Sequence, residues 1–130
     1  MKQTFVKTWR NSVQPRKQRK YRAAAPLHLK GTFLSAHLSK ELRKKYSTRS
    51  LRIRKGDKVQ IMRGQFKGKS NKVDRVDTKH CKIFVVGIEL IKKDGGKTPY
   101  ALSPSNLQLT ELVMDDKKRE KTIKPKEVKK

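Results

Sequence analysis

The sequence predicts a mainly β protein, in which one small barrel carries a basic N-terminal arm with a short helix and a charged, partly helical C-terminal tail. Short apolar runs with alternating or β-branched character recur between residues 50 and 112, and turn-forming residues separate them. About five such strands in about 60 residues favour a closed sheet, because closure removes exposed edges. We therefore divide the chain into an arm (1–49), a barrel (50–112) and a tail (113–130).

The composition predicts a polyanionic partner. The 130 residues include 36 Lys and Arg against 11 Asp and Glu, a formal net charge of +25 at pH 7. Such a charge repels itself unless a polyanion compensates it, and nucleic acid is the first candidate. No apolar run reaches the roughly 18 residues of a membrane span, and the N-terminus has no apolar secretion signal. We therefore expect a cytoplasmic protein without membrane insertion.

The arm is the most cationic part of the chain, with 14 basic residues and one acidic residue. Residues 10–22 have almost no apolar content, which predicts that they are disordered alone and become ordered on RNA. A solvated tail or a localisation signal is the alternative interpretation. Residues 23–29 are predicted to be extended, since a regular helix cannot continue across Pro26.

A short helix is predicted over residues 39–46. Ser39 is a suitable N-cap, an acidic residue lies in the first turn and cations fill the last turn, as the helix dipole favours. Leu38, Leu42 and Tyr46 recur at a spacing of four, which indicates an apolar stripe that packs on the barrel.

Within the barrel, the sequence predicts a strand around Val59 and Ile61, a core strand over residues 81–90, and a hairpin turn at 94–96. Pro99 lacks a backbone N–H and so confines the return strand to an edge. The predicted core consists of Val59, Ile61, Val73, Val76, Ile83, Val85, Ile88, Leu102, Leu107 and Leu109. In the tail, Asp115-Asp116 is predicted to cap a short helix that ends before Pro125, with disorder beyond it.

The candidate functional loop follows the first of these strands. Gly64 and Gly68 lie there among Arg63, Lys67 and Lys69. Glycine permits a positive φ and lets the backbone come close to a phosphate chain, while the cations supply the attraction. The loop is not a nucleotide-binding P-loop, because fewer residues separate the two glycines than that motif requires.

No constellation for catalysis, metal binding or cofactor binding can be assembled from the sequence. Asp57, Asp74 and Asp77 lie at predicted strand ends among lysines, where ion pairing on a wet surface is the common explanation. Cys81 is the single cysteine, which excludes an internal disulfide, and we interpret it as a small, partly buried strand residue. We expect no enzymatic activity, no metal and no cofactor.

The loop and its flanking strands resemble the KOW motif, a strand, loop and strand unit of ribosomal and transcription-elongation proteins. The resemblance rests on Gly56-Asp57, Val59, Arg63-Gly64, Phe66-Lys67-Gly68-Lys69, Lys72-Val73 and Val76. It departs at Asn71, where the motif commonly has glycine. Since asparagine tolerates the left-handed region, we expect the turn to be kept.

An ordered series of further motifs resembles the family of large-subunit ribosomal protein twenty-four in its archaeal and eukaryotic form, called twenty-six in eukaryotes. The series covers nearly all of residues 12–112 and includes Pro15-Arg16-Lys17-Gln18-Arg19-Lys20, Ala25-Pro26-Leu27-His28, residues 35–43, Tyr46, Arg49, Arg54-Lys55-Gly56-Asp57 and Pro104-Ser105-Asn106. The resemblance implies an SH3-like barrel bound to the 5′ domain of large-subunit ribosomal RNA, early in subunit assembly and near the polypeptide exit tunnel.

The resemblance and the charge pattern together predict RNA contacts in the arm, the loop and the segment 103–106. The predicted RNA-binding residues are Arg16, Lys17, Arg19, Lys20, Arg22, His28, Arg43, Arg49, Arg52, Arg54, Lys55, Arg63, Gly64, Lys67, Gly68, Lys69, Lys72, Ser103, Ser105 and Asn106. Further expected partners are neighbouring large-subunit ribosomal proteins and nascent-chain factors at the exit tunnel, and no homo-oligomer is expected. The alternative is a KOW-type transcription-elongation module that binds RNA polymerase and nascent RNA.

Overall fold

The computed structural model describes residues 5–123 of the protein. Within this range the α-helices are α1 (Pro15–Ala24), α2 (Leu27–Phe33), α3 (Lys40–Tyr46) and α4 (Lys117–Ile123). The strands are β1 (Ser35–Leu38), β2 (Ser50–Arg52), β3 (Lys58–Ile61), β4 (Ser70–Asp77), β5 (Lys82–Val85), β6 (Glu89–Ile91), β7 (Lys97–Pro99) and β8 (Leu107–Glu111). Two 3₁₀ turns, Trp9–Asn11 and Pro104–Asn106, complete the described elements.

Six strands form one sheet in the order β2-β1-β8-β3-β4-β5, and β6 pairs with β7 in a separate hairpin. All neighbours in the large sheet are antiparallel except β1 and β8, which run parallel. The edge strands β2 and β5 form no ladder with each other, so the sheet is open and the prediction of a closed barrel is wrong. The chain leaves the large sheet after β5, where Gly87 has a φ of +74°. The strand that follows, β6, then pairs with β7 and not with the large sheet.

The prediction of one continuous strand over residues 81–90 is also wrong. That strand is interrupted at Gly87, so β5 and β6 belong to different sheets. Cys81 is half-buried, as expected, but it ends the turn before β5 with φ +54° rather than lying in a strand. The hairpin turn lies between β6 and β7, as predicted, and Pro99 ends β7, which pairs only with β6.

The core lies on one face of the large sheet. Every predicted core residue is buried there except Val76, which is half-buried. Leu38, predicted as part of an apolar stripe, is fully buried in this cluster, and Leu42 and Tyr46 of the same stripe pack against the core as expected. Sequence reasoning missed Leu34, Ala36, Leu51, Ile53 and Ile123, which are also buried there. These residues come from β1, β2, their flanking segments and the last residue of α4, because β1 lies inside the sheet between β2 and β8.

The arm contains more regular structure than its composition predicts. Part of the segment predicted to be disordered forms α1, and α2 begins at Leu27, so the predicted extended conformation is limited to Ala25 and Pro26 between the two helices. Trp9 packs edge to face on Phe33, with 5.7 Å between the two ring centres. Such contacts between residues far apart in sequence order a segment that has no buried residue of its own.

Helices α3 and α4 begin where the sequence predicts. The Ser39 hydroxyl accepts a hydrogen bond from the Leu42 N–H at 3.3 Å, which caps α3. The Asp116 carboxylate accepts one from the Lys118 N–H at 2.8 Å at the start of α4. Disorder was predicted beyond Pro125, which lies outside the described residues.

The prediction that Asp57 forms ion pairs on a wet surface is wrong. Its side chain is fully buried and receives two hydrogen bonds from the Arg119 guanidinium, Nη1 to Oδ1 at 2.8 Å and Nη2 to Oδ2 at 2.6 Å. The backbone N–H groups of Arg54 and Val113 donate to the same carboxylate at 2.8 and 3.0 Å. Four donors therefore satisfy a buried charge, and the pair fixes α4 to the residues that precede β3.

Candidate nucleic-acid interface

The β3–β4 loop, residues 62–69, has a defined backbone. Gly64 and Gly68 adopt φ +95° and +87°, as the sequence predicts, and a Cβ atom added at either would meet nothing within 4 Å. These glycines are therefore needed for backbone conformation and not for space. The N–H of Lys67 donates to the carbonyl of Gly64 at 3.1 Å, and the N–H of Gly68 donates to that of Ile61 at 2.8 Å. These bonds close the loop onto the end of β3.

The cations of the loop face solvent. Arg63, Lys67 and Lys69 are exposed, and none of them makes an ion pair within residues 5–123. The Lys69 ammonium lies 5.3 Å from the Phe66 ring centre, and Phe66 packs on Tyr100 at 5.2 Å. An aromatic contact thus anchors the loop while its charges remain available to an anion.

The segment 103–106 lies directly beside this loop. The N–H of Met62, the first loop residue, donates to the carbonyl of Asn106 at 2.8 Å. The hydroxyl of Ser105 on the 3₁₀ turn lies 3.2 Å from that of Ser103, the residue that precedes the turn. The structure therefore brings together two groups of residues that the sequence predicted separately, and we call residues 62–69 and 103–106 the loop surface.

Asn71 does not adopt the left-handed conformation that its place in the motif suggested. It lies within β4, and its side-chain amide donates to the carbonyl of Val86 at 3.0 Å. Its Oδ1 accepts from the N–H of Lys72 at 2.8 Å. Asn71 therefore ties β4 to the turn that follows β5. The residue with positive φ in that turn is Gly87 and not Asn71.

Helix α1 carries the predicted arm contacts. Arg16, Lys17, Arg19 and Lys20 are exposed, and at 3.6 residues per turn they point to several sides of the helix. The Arg22 guanidinium lies 5.2 Å over the Phe33 ring. The Gln18 amide donates to the carbonyls of Trp9 and Ser12 at 2.6 and 2.7 Å, which attaches the helix to the preceding turn.

The remaining predicted contacts are dispersed. His28 and Arg49 are exposed, and Lys72 lies on β4 opposite Lys58. Arg43 is half-buried, and its Nε donates to the carbonyl of Leu38 at 2.9 Å, so it helps to hold α3. Arg52, Arg54 and Lys55 lie away from the loop surface and line a groove.

Three cations of that groove, Arg75 on β4 and Lys118 and Arg119 on α4, were not among the predicted site residues. Arg75 lies between Val73 and Val76, which were both assigned to the core. That position could have indicated that Arg75 faces solvent at the edge of the core. A register shift between Val73 and Arg75 allows both valines to face the core while Arg75 stays exposed. No local signal marks Lys118.

The pKa of one acidic group, Asp77, is shifted by its neighbours. The hydrogen bond from the His80 ring, 2.8 Å from Nδ1 to Oδ2, and then that from the His80 backbone N–H, lower the pKa of Asp77 below its ordinary value of 3.8. Among residues 5–123, no three His, Cys, Asp or Glu side chains gather in a way that could hold a metal ion. No helix in this range is both long enough and apolar enough to cross a membrane.

Comparisons with known proteins match nearly the whole chain. Residues 12–126 match the family model of the ribosomal proteins called L26 in eukaryotes and L24 in archaea. The large ribosomal subunit protein uL24 of Methanoculleus marisnigri is 50% identical over 112 residues, which cover 86% of this chain and 93% of that protein. The proteins of the same name from Methanothrix thermoacetophila and Methanospirillum hungatei are 48% and 46% identical, over 85% and 86% of this chain and 95% and 93% of their own lengths.

Proposed function

This chain belongs to the family of eukaryotic L26 and archaeal L24 ribosomal proteins, and from that membership we propose that it binds large-subunit ribosomal RNA through the loop surface and helix α1. As a member of the family it is a structural component of the large ribosomal subunit and not an enzyme. The same proposal includes the 5′ domain of the RNA as the binding region, an early role in assembly, a position near the exit tunnel, and contacts with neighbouring ribosomal proteins and nascent-chain factors.

The observation that carries the proposal is the combination of shape and charge in the β3–β4 loop. Two glycines at positive φ hold a compact turn, and three exposed cations project from it without ion-pair partners among the described residues. Contacts to phosphates position a protein on nucleic acid, and hydroxyl and amide groups such as those at 103–106 add hydrogen bonds to phosphate and sugar. The loop surface offers both kinds of group side by side.

The alternative of a transcription-elongation module has no support among the three relatives described above, which are all named as ribosomal proteins.

The test removes the loop charges and measures the salt dependence of RNA binding. We expect replacement of Arg63, Lys67 and Lys69 by alanine to weaken binding to a transcript of the 5′ domain. The slope of log K against log salt should fall in magnitude by about 2 to 3, since each lost phosphate contact contributes about 0.7 to 0.9. Thermal stability should stay unchanged, because the three side chains lie outside the core.

The matched control removes the same charge from the β6–β7 hairpin, where Lys92, Lys93 and Lys97 are exposed. If the loop variant and this hairpin variant lose the same amount of affinity, binding depends on net charge alone. In that case the loop surface is not a specific contact.

A further inference from the structure

A second cationic surface lies at the other end of β4 from the loop surface. It is a groove of about 900 Å³ between residues 51–55, the second half of β4 and helix α4. Leu51, Ile53 and Val76 contribute apolar lining, and six cations, two carboxylates and two threonines complete it. A volume of this size is typical of sites that enclose part of a ligand, about 300 to 1,000 Å³.

Two of the six cations are already compensated. Arg119 is paired with the buried Asp57, and Arg54 lies 3.1 Å from the Asp116 carboxylate. The other four, Arg52, Lys55, Arg75 and Lys118, make no ion pair within residues 5–123. Asp74 is the second acidic group of the lining. The groove therefore keeps an excess of positive charge after its internal pairs are formed.

Two of these cations are held in place before any ligand arrives. The Arg75 guanidinium lies 4.3 Å from the ring centre of Phe84, its cross-strand neighbour. The Arg52 guanidinium packs on Gly31 of α2, where an added Cβ would lie 2.6 Å from its carbon. A guanidinium that rests its face on another group can still donate from its edge, so less side-chain entropy is lost when it binds an anion.

We propose that this groove binds the phosphate backbone of a second stretch of ribosomal RNA, separate from the stretch held by the loop surface. The inference rests on the proposed function and adds a further contact site to it. Arginine edges match phosphate oxygens, and the apolar lining suits ribose and base surfaces. Arg75 follows Ser70 by five positions on β4, so the groove lies roughly 16 Å along the strand from the loop, and one folded RNA can reach both.

Helix α4 forms one wall of the groove, and its position depends on Arg119. The guanidinium donates to Asp57 and also to the carbonyls of Val113 and Arg52 at 2.8 and 3.3 Å. These bonds join α4 to the segment that forms the opposite wall. Lys118, the neighbour of Arg119, is thereby fixed beside the groove.

The first experiment replaces Lys55, Arg75 and Lys118 by alanine in the full chain and leaves Arg52, Arg54 and Arg119 in place. We expect the salt slope for the 5′-domain transcript to fall in magnitude by about 2 to 3, as it does for the loop variant. The hairpin variant at Lys92, Lys93 and Lys97 serves as the control of equal charge. A groove variant that matches the hairpin variant overturns the inference.

The design separates this inference from the proposed function. If the loop variant weakens binding and the groove variant does not, the groove is not an RNA site and the loop surface remains one. If the unaltered chain does not bind the transcript, both proposals are wrong.

The second experiment identifies the occupant without depending on the folding of a triple variant. The protein carries Cys81→Ser, and a photo-crosslinker is attached to the thiol introduced by Lys118→Cys or, as a control, by Lys93→Cys. In assembled large subunits we expect RNA crosslinks from the Lys118 position. Crosslinks from that position to a ribosomal protein alone, as an acidic peptide in the groove would give, would overturn the assignment to RNA.

Discussion

The two ends of strand β3 use charge in opposite ways. Asp57, directly before the strand, is fully buried and paired with Arg119. Arg63, two residues beyond the other end, is exposed and makes no ion pair among the described residues. Four residues of regular strand separate a charge that holds the fold from charges that are available to a partner.

The difference follows from solvation. Moving a charge out of water is costly, so a buried charge needs a partner of opposite sign and hydrogen bonds, and loss of either partner is severe. An exposed charge stays solvated and contributes little to folding, and on binding it displaces counterions that are condensed on the phosphates of a polyanion. Substitutions near Asp57 should therefore lower the stability of the fold, whereas substitutions of the loop cations should lower the affinity for RNA.

The largest effect is expected from removal of Arg119. Replacement by methionine keeps much of the side-chain volume but leaves the Asp57 carboxylate buried without its partner. We expect the free energy of unfolding to fall by about 3 to 5 kcal/mol, as measured by urea denaturation.

A double variant sharpens this prediction. Asp57→Asn combined with Arg119→Met removes both charges and should lose less stability than the sum of the two single variants, because no uncompensated charge remains. A loss in the double variant equal to that sum would show that the pair is not coupled.

The loop end should show a smaller cost that arises from backbone conformation alone. Gly68→Ala places a Cβ at φ +87° in open space, so we expect a loss of about 1 to 2 kcal/mol from the strained φ. Gly96→Ala is the matched control, since Gly96 also has open space and its φ is not positive. If both variants behave alike in thermal unfolding, the loop does not need its glycines for conformation.

A smaller effect is expected at an exposed ion pair on β3 itself. Lys58 Nζ lies 2.8 Å from the Glu111 carboxylate; the Lys58 side chain is 40% exposed and the Glu111 side chain 67% exposed. Lys58→Met should cost about 0.2 to 1 kcal/mol, and the difference from the unaltered chain should shrink in high salt. A loss as large as that of Arg119→Met would contradict the role that we assign to burial.

The smallest effect is expected at the Asp77–His80 contact, in which the His80 side chain is exposed and the Asp77 side chain is half-buried. The lowered pKa of Asp77 means that the folded state favours the carboxylate. Its contribution to stability is therefore present above the ordinary value of 3.8 and is lost as pH falls through the folded value. In His80→Ala, an NMR titration should show the pKa of Asp77 rising towards 3.8, and an unchanged titration would remove His80 as the cause.

Local features of the fold could be predicted because their causes are local. Ser39 caps the helix that follows it, Gly64 and Gly68 adopt the positive φ that their loop needs, and the 94–96 turn joins two strands. The missed features depend on distant partners. Asp57 was assigned to the surface because its partner Arg119 is 62 positions away, and Trp9 meets Phe33 across two helices.

The candidate site divides in the same way. The cations and glycines of the β3–β4 loop are adjacent in sequence, so their pattern alone was sufficient to mark them. The contact between Met62 and Asn106 and the placement of Arg75 and Lys118 beside Lys55 depend on strand pairing and on the docking of α4. No periodicity in a single segment contains that information.

The sequence by itself determined the excess of positive charge, the loop that carries three of the exposed cations, and the resemblance that led to the family. Each of these depends on which residues are present and on their immediate neighbours. Only the tertiary structure decided that the sheet stays open, which aspartate is buried, and which cations share a groove. Those outcomes arise from contacts between distant segments, because desolvation of a charge and closure of a sheet depend on what packs nearby in space.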